Sequence, residues 1–266
     1  MSVISLMTDF GIKDGNVGVM KGVIWGICPE AHIADLSHVV QPQNIREAAL
    51  ILARSAPYFP EKSIHLVVVD PGVGTARRPM AARIGSQYYV GPDNGSISLL
   101  LEKNEQAGLT AEFFHLTNPE YWLPEVSFVF HGRDIFAPVA AHLSIGVPLK
   151  ELGAAIVDPV RLELPKAVKT SNGWRGEVIH IDHFGNIASN ILRENLGEAL
   201  KHKEKISVRV AGAEIEGMCN TFGEGAAGEL VALMGSTGNL IVSVVNGSAQ
   251  ERLAVKIGDP FEALLN

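Results

Sequence analysis

Short apolar runs that end on an acidic residue or a glycine recur through the first half of the chain, and stretches with helical spacing fill the gaps between them. The clearest run is Leu66–Val69, with three β-branched residues bounded by polar and turn positions. It predicts a short strand buried on both faces, as in a sheet covered by helices. Asp70, Pro71, Gly72 and Gly74 follow and turn the chain away. Val3–Met7 predicts a second strand that runs into Thr8, Asp9, Phe10 and Gly11. Asn16 can cap a helix through Ile27, with Val19, Val23 and Ile27 on one stripe. Ile33–Leu36 reads as a strand. From Asn44 a helix places Ile45, Ala48, Ala49, Leu52 and Ala53 at helical spacing before Pro57. Two β-like runs, 80–85 and 87–91, precede a turn at Pro92–Gly95 and a helical turn or two at Ile97–Leu101. A strand at 112–117 and a helix over Gly132–Leu143, with Ile135, Phe136, Val139 and Leu143 inward, complete this half.

Near residue 157 the pattern changes. Asp158, Pro159 and Pro165, with alternating apolar and polar residues between them, read as an extended linker. Beyond it the runs GEVIHID, KISVRVAG, ELVALMG and NLIVSVVN are strand-like and separated by glycine-rich turns. The expected fold class is α/β. An N-terminal α/β layered domain with a mostly parallel or mixed central sheet spans 1–157, a linker spans 158–170, and a smaller C-terminal β-sandwich or barrel spans 171–266. There is no internal repeat and no low-complexity tract.

Composition narrows the function. With 47% hydrophobic and 19% charged residues the chain is of ordinary globular make-up. A net charge of −7 without a basic cluster argues against a nucleic-acid partner and against an electrostatic membrane anchor. No apolar run approaches a membrane-spanning length, and the N-terminus has neither the basic start nor the uninterrupted apolar stretch of a signal peptide. Cys28 and Cys219 are far apart in apolar surroundings, which favours buried reduced thiols and a cytoplasmic protein. The nine His are dispersed, and in an alternating strand His180 and His183 face opposite sides, so no metal site is expected. Neither a GxGxxG run nor a P-loop is present.

Candidate chemistry lies where chains turn. Asp9 follows the first strand, and Asp70 with Arg77 brackets the turn after the strand at 66–69. His131 opens the helix in FVFHGRD. An Asp, an Arg and a His can position and deprotonate a water molecule, because Arg holds an anionic nucleophile while Asp and His handle its proton. Each also has a plainer reading: a strand-capping Asp with a surface Arg, a helix-capping His, and Arg133 with Asp134 as a weak surface pair. In the second half, Asp182-His183-Phe184-Gly185-Asn186 breaks a strand with a glycine. There Phe184 can stack on a planar base and Asn186 can offer its amide to a purine edge; the alternative is a β-turn with a buried Phe. The same two readings stand for Thr221-Phe222 and for 246–249.

Six runs in order, MTDFG at 7–11, VVDPGVGTARRP at 68–79, VGPDNG at 90–95, FHGRDIFAP at 130–138, IDHFGN at 181–186 and VNGSA at 245–249, resemble the adenosine-forming S-adenosyl-L-methionine hydrolases, relatives of the fluorinase and chlorinase. The resemblance implies an α/β N-terminal domain and a β-rich C-terminal domain. It also implies a homotrimer with S-adenosylmethionine held between the N-domain of one subunit and the C-domain of the next. As catalytic residues it implies Asp70, Arg77 and His131, which position water. For substrate binding it implies Asp9 on the ribose, and Asn186, Phe222, Asn246 and Ala249 on the adenine. Asp182 and Ser236 would serve the methionine end, with Phe130 and Phe184 also facing the substrate. Thr237 departs from the pattern, since the halogenases carry an Arg there, and Gly132 stands where the fluorinase has a Ser. The implied reaction yields adenosine and L-methionine without cofactor or metal. A halide-using homologue and a non-catalytic S-adenosylmethionine-binding protein are the alternatives.

Overall fold

All five residues of β3 (Ile64–Val68) are buried, because the strand runs through the middle of a sheet covered on both faces. The computed structural model describes residues 2–265 and divides into two units, Met1–Leu162 and Glu163–Asn266. In the first unit β1 (Val3–Thr8), α1 (Asn16–Ile27), β2 (His32–Ser37) and α2 (Ile45–Ser55) precede β3. After it come β4 (Pro79–Ile84), β5 (Gln87–Pro92), α3 (Ser98–Gln106), β6 (Ala111–Leu116), α4 (Ala137–Ser144) and β7 (Gly153–Ile156). The sheet order is β2-β1-β3-β5-β4-β6-β7, parallel from β2 to β5 and antiparallel beyond. It is the mixed sheet that the pattern predicts. Leu66 and Val68 face one layer with α1 and α4, while Val67 and Val69 face the other with α2 and α3.

Two local expectations are corrected. In α1 the buried residues are Met20 and Ile24; Val23 and Ile27 of the expected stripe are half-buried against the same core, whereas Val19 is 45% exposed. Apart from Asn16 and Lys21 the helix is made of apolar residues and glycines, so its periodicity selects a face only loosely. The helix expected from Gly132 opens with one π-helical turn, Gly132–Phe136, before α4 begins.

The two units meet inside the stretch expected to be a linker, and both ends of that stretch are folded. Residues 158–162 belong to the first unit: Arg78 bonds Asp158 at 2.8 Å, the Val160 amide donates to Asp93 at 2.7 Å, and the Leu162 amide donates to Ser98 Oγ at 2.8 Å. In the second unit β8 (Val168–Thr170) is already a strand, paired to β9 (Gly173–Ile181). It is followed by β10 (Ile187–Leu192), α5 (Arg193–Leu196), β11 (Ile206–Val210), β12 (Ala213–Glu216), β13 (Leu230–Met234), β14 (Asn239–Val244), α6 (Ala249–Leu253) and β15 (Pro260–Leu265). All pairings are antiparallel, in the order β12-β11-β15-β9-β10-β14-β13. β9 pairs with β15 along its first half and with β10 along its second, so it turns the sheet around one core that includes Val178, Val208, Leu240 and Phe261. β12 returns to contact β13, leaving the sheet nearly barrel-shaped.

Candidate active site

The strand order 2-1-3 makes the crevice past the carboxyl ends of β1 and β3 a topological switch point, where open α/β sheets bind ligands. Thr8 pairs with Val68 across those strands, so Asp9 and Asp70 leave the sheet as neighbours. Asp9 Oδ2 accepts from the backbone N–H of Gln43 at 2.7 Å. After Asp70 the chain reverses through two turns closed by Val73 N–H to Asp70 O (3.2 Å) and Thr75 N–H to Gly72 O (3.1 Å). Gly74 sits at φ +73° with the Phe128 carbonyl only 2.3 Å from where a Cβ would stand, so only glycine fits there. This reversal brings Arg77 back onto Asp70.

The Arg77–Asp70 pair is bidentate. Nε donates to Oδ1 at 3.0 Å and Nη2 donates to Oδ2. The side chains are 7% and 5% exposed, which excludes the reading as a surface Arg. Arg77 also lies over the Phe136 ring, 5.3 Å from its centroid. Nη2 reaches His131 Nδ1 at 3.1 Å. A guanidinium can only donate, so Nδ1 is the acceptor and the imidazole proton sits on Nε2. Burial, and after it the Arg77 charge, push the His131 pKa below the ordinary imidazole value, which keeps the ring neutral. One donor remains: Arg77 Nη1 is buried and has no partner. An orphaned buried donor on an otherwise saturated guanidinium marks a place for an oxygen ligand.

His131 stands at the N-cap of the π-turn. Such turns re-aim side chains and cluster at functional sites. Asp134, expected as half of a surface pair with Arg133, is instead fully buried. It accepts from the Ser127 amide at 2.8 Å and from Arg133 Nη2 at 3.0 Å, which ties the segment before His131 to the turn after it. Phe130 packs edge-on against Phe10 with centroids 5.7 Å apart and lies beneath Arg133 at 5.1 Å. A Cβ on Gly132 would stand 3.3 Å from Met20 Sδ and from Val68 Cγ1, so a larger residue needs its neighbours to shift.

In the second unit a cleft of about 570 Å³ is lined by Phe184, Asn186, Phe222, Gly225, Val245 and Asn246, among others. Phe184 is 72% and Phe222 46% exposed, two aromatic faces beside one opening. They are not the buried turn residues of the plainer reading. Asp182 organises the loop: its Oδ1 accepts from the amides of Phe184 and Asn186 at 2.9 Å each, and its Oδ2 accepts from Asn186 Nδ2 at 2.8 Å. One N–H of the Asn186 side-chain amide is therefore engaged by Asp182, which leaves its second N–H and its oxygen. Gly185 (φ +79°) packs against Ser248, whose Oγ is 2.1 Å from a virtual Cβ. Ser248 caps α6, with buried Ala249 at its first position. Asn246 holds a left-handed backbone (φ 56°) at the cleft wall. Ser236 lies in the β13–β14 turn, at the other end of β14 from the cleft. The structure thus brings Phe184, Asn186, Phe222 and Asn246 together and leaves Ser236 apart by about 17 Å at roughly 3.4 Å per strand residue. Reading the sequence alone missed Gln43, Asp134 and Phe136 as site neighbours.

Comparison with known proteins fits this geometry. Residues 4–153 are similar to the SAM hydroxide adenosyltransferase N-terminal domain and residues 176–262 to the C-terminal domain of the same name. The (R)-S-adenosyl-L-methionine hydrolase of Salinispora tropica is 42% identical over 262 residues, with 96% of this chain and 95% of that one covered. A fluorinase of an Actinoplanes species is 31% identical over 224 residues, 74% of each chain. The crystal structure of an uncharacterized conserved protein from Thermotoga maritima matches with a TM-score of 0.92 at 38% identity, covering 98% of this chain and 100% of that one.

Proposed function

The chain belongs to the SAM hydroxide adenosyltransferase family, and on that premise we propose that it hydrolyses S-adenosyl-L-methionine at C5′, giving adenosine and L-methionine. The observation that carries this reading is the buried Arg77–Asp70–His131 set with Arg77 Nη1 left as a free donor.

The chemistry asks little beyond positioning. The sulfonium sulfur leaves as a neutral thioether, so the leaving group needs neither an acid nor a Lewis acid, and no metal or cofactor is required. The water oxygen forms the bond to C5′ as the C–S bond breaks with its electron pair going to sulfur. Arg77 Nη1 holds that oxygen and favours its anionic form. His131 Nδ1 is occupied by Arg77 and its Nε2 already bears a proton, so the imidazole orients the guanidinium. The proton of the water passes to Asp70, the carboxylate acceptor of the set, by way of a second water, since Asp70 occupies the Nε–Nη2 edge and the oxygen sits at Nη1. Asp9 grips the ribose hydroxyls and fixes C5′ in line with the oxygen. Phe184 and Phe222 stack on the adenine, with Asn186 and Asn246 at its edge and Phe130, Asp182 and Ala249 completing the substrate surroundings; Ser236, at the far end of β14, takes no part. The assembly is a homotrimer in which the first unit of one subunit and the second unit of a neighbour share one substrate, in the cytoplasm.

Incubating the purified protein with each sulfonium epimer of S-adenosylmethionine in EDTA, with and without chloride, and identifying the nucleoside, tests this directly. The R epimer is included because the Salinispora tropica relative is named for it. Adenosine formed in EDTA supports the proposal. A 5′-halogenated nucleoside identifies a halogenase, binding without product identifies a sequestering protein, and activity lost to EDTA but restored by a divalent ion overturns the metal-free mechanism.

A further inference from the structure

Asp9 stands on a turn that is held from below by a relay no catalytic step uses. The Phe10 amide donates to Thr8 Oγ1 at 3.2 Å, and Thr8 Oγ1 lies 3.0 Å from His38 Nδ1. His38 Nε2 faces the Asp35 carboxylate, which places the ring proton on Nε2 and leaves Nδ1 to accept from the Thr8 hydroxyl, while the Thr8 oxygen receives the amide. Nε2 lies 3.1 Å from Asp35 Oδ1 without a straight hydrogen bond to it. Lys21 Nζ donates to the other Asp35 oxygen at 2.7 Å. Burial raises the Asp35 pKa, but Lys21 and then His38 overcome it, so the carboxylate stays ionised. The Gly11 amide closes the turn on the His38 carbonyl at 2.7 Å. His38 therefore holds both ends of the segment that carries Asp9, one through its ring and one through its backbone.

A hydroxyl, an imidazole and a carboxylate in this order resemble a nucleophilic set, but Thr8 is completely buried and no substrate can reach it. The network has a different use. Asp9 is fixed at its carboxylate by the Gln43 amide, and Gln43 itself sits in the left-handed region at φ 67°. A non-glycine residue persists there only where its surroundings over-determine it. With Oδ2 held by the Gln43 amide and the turn held by His38, the Asp9 carboxylate is constrained from both ends.

We propose that His38 is a positioning residue for substrate binding: through Thr8 and the Gly11 amide it sets the turn that aims the Asp9 carboxylate. This rests on the reading of Asp9 as a ribose-hydroxyl acceptor. Thr8→Val removes the hydroxyl at constant shape, and His38→Leu removes the ring acceptor. Each should weaken substrate affinity about tenfold, the loss of one buried hydrogen bond that matters. The single-turnover rate of bound substrate should stay within about threefold, because a turn that only aims a binding group leaves the chemical step alone. Thr8→Ser and His38→Asn, which restore the donor and the acceptor, should bind within about twofold of the parent, since the bond itself is kept. In an Asp9→Ala background Thr8→Val should add nothing, because the relay acts only through Asp9.

Equilibrium binding of S-adenosylmethionine and rapid-quench single turnover on folded variants read these outcomes. Additive losses in the Asp9→Ala, Thr8→Val pair, or a fall in turnover at constant affinity, overturn the proposal. Should the two buried substitutions prevent folding, Asp35→Ala at the solvent end of the relay decides. A loss of affinity of about threefold, the scale of an exposed charge contact, supports it, and unchanged affinity overturns it. If Asp9→Ala alone leaves affinity intact, the ribose-binding reading falls as well; if Asp9→Ala weakens binding and the relay variants do not, only the relay falls.

Discussion

Replacing Arg77 with Met separates what the buried ion pair does for stability from what it does for the reaction. Both partners are nearly buried, at 7% and 5% exposure, so Met, of similar length and apolar, fits the space over Phe136 but leaves the Asp70 carboxylate without its two donors. Removing one partner of a buried pair costs about 3–5 kcal/mol, because the other charge remains desolvated. That is a large share of a typical stability of about 5–15 kcal/mol. A second substitution, Asp70→Asn, removes the stranded charge and should recover most of the loss. Turnover should not follow. The Nη1 donor is absent in both variants, and loss of one such donor lowers kcat about 10²–10³-fold, or roughly 3–4 kcal/mol of transition-state stabilisation. Denaturant titration, equilibrium binding and single-turnover adenosine formation on Arg77→Met and on the double variant give three independent readings. Stability should fall and recover, turnover should fall and stay down, and affinity should hold throughout. If turnover returns with stability in the double variant, or survives within about tenfold in Arg77→Met, well short of what a lost donor costs, the pair is a structural strut and the positioning role is wrong.

Two further outcomes follow from the same geometry. His131 accepts from Arg77 only while neutral, and its pKa is pushed below the ordinary value of 6.5 by burial and by Arg77. Single-turnover rates should therefore stay flat as pH falls through 6.5 and drop only below it. The folded state resists this proton while the unfolded chain takes it up near 6.5, so stability declines as pH falls from 6.5 toward the lower folded-state value, ahead of the drop in rate. An acid limb at or above the ordinary imidazole value would count against the assigned tautomer. If substrate is shared between subunits, Asp9→Ala and Asn186→Ala proteins, each nearly inactive, should regain activity when co-assembled, since some interfaces then carry two intact halves. A verified mixed oligomer that stays inactive would place the whole site within one chain.

Parts of this site were legible in sequence for a physical reason. Asp70 directly follows an apolar run and Asp9 follows one after a single threonine, and residues at the ends of buried strands sit at the sheet edge whatever the rest of the fold does. The contact of Arg77 with His131 was not legible, because 54 residues separate them and their meeting depends on where α4 packs. The resemblance supplied that pairing, and the structure shows the atoms. Asp134 was misread because an acidic residue beside Arg133 looks like solvent-facing charge; its burial is compensated by a backbone amide at Ser127, which leaves no mark in the pattern. The face of α1 was legible only in part for the opposite reason, too many apolar residues: Val23 and Ile27 pack inward as expected and Val19 does not. The expected linker was half wrong, because ion pairs from Arg78 fix its start and strand pairing fixes its end.

The neutrality of the Asp70–Arg77 pair also bears on which nucleophile the site favours. The substrate carries a sulfonium charge, and an uncompensated guanidinium about 4 Å from it would cost about 4 kcal/mol at an effective dielectric of 20. Asp70, bonded to Arg77 through both oxygens, cancels that repulsion while leaving Nη1 directed and unpaired. A halide site has the opposite need, since desolvating a monatomic anion calls for net positive surroundings or several donors. A neutral pair with one spare donor and an adjacent carboxylate suits a water molecule, which needs an acceptor for its proton as well as a donor for its oxygen. In the proposed mechanism Asp70 thus does two things at once: it makes Arg77 tolerable beside a cationic substrate, and it tips the site from halide toward water.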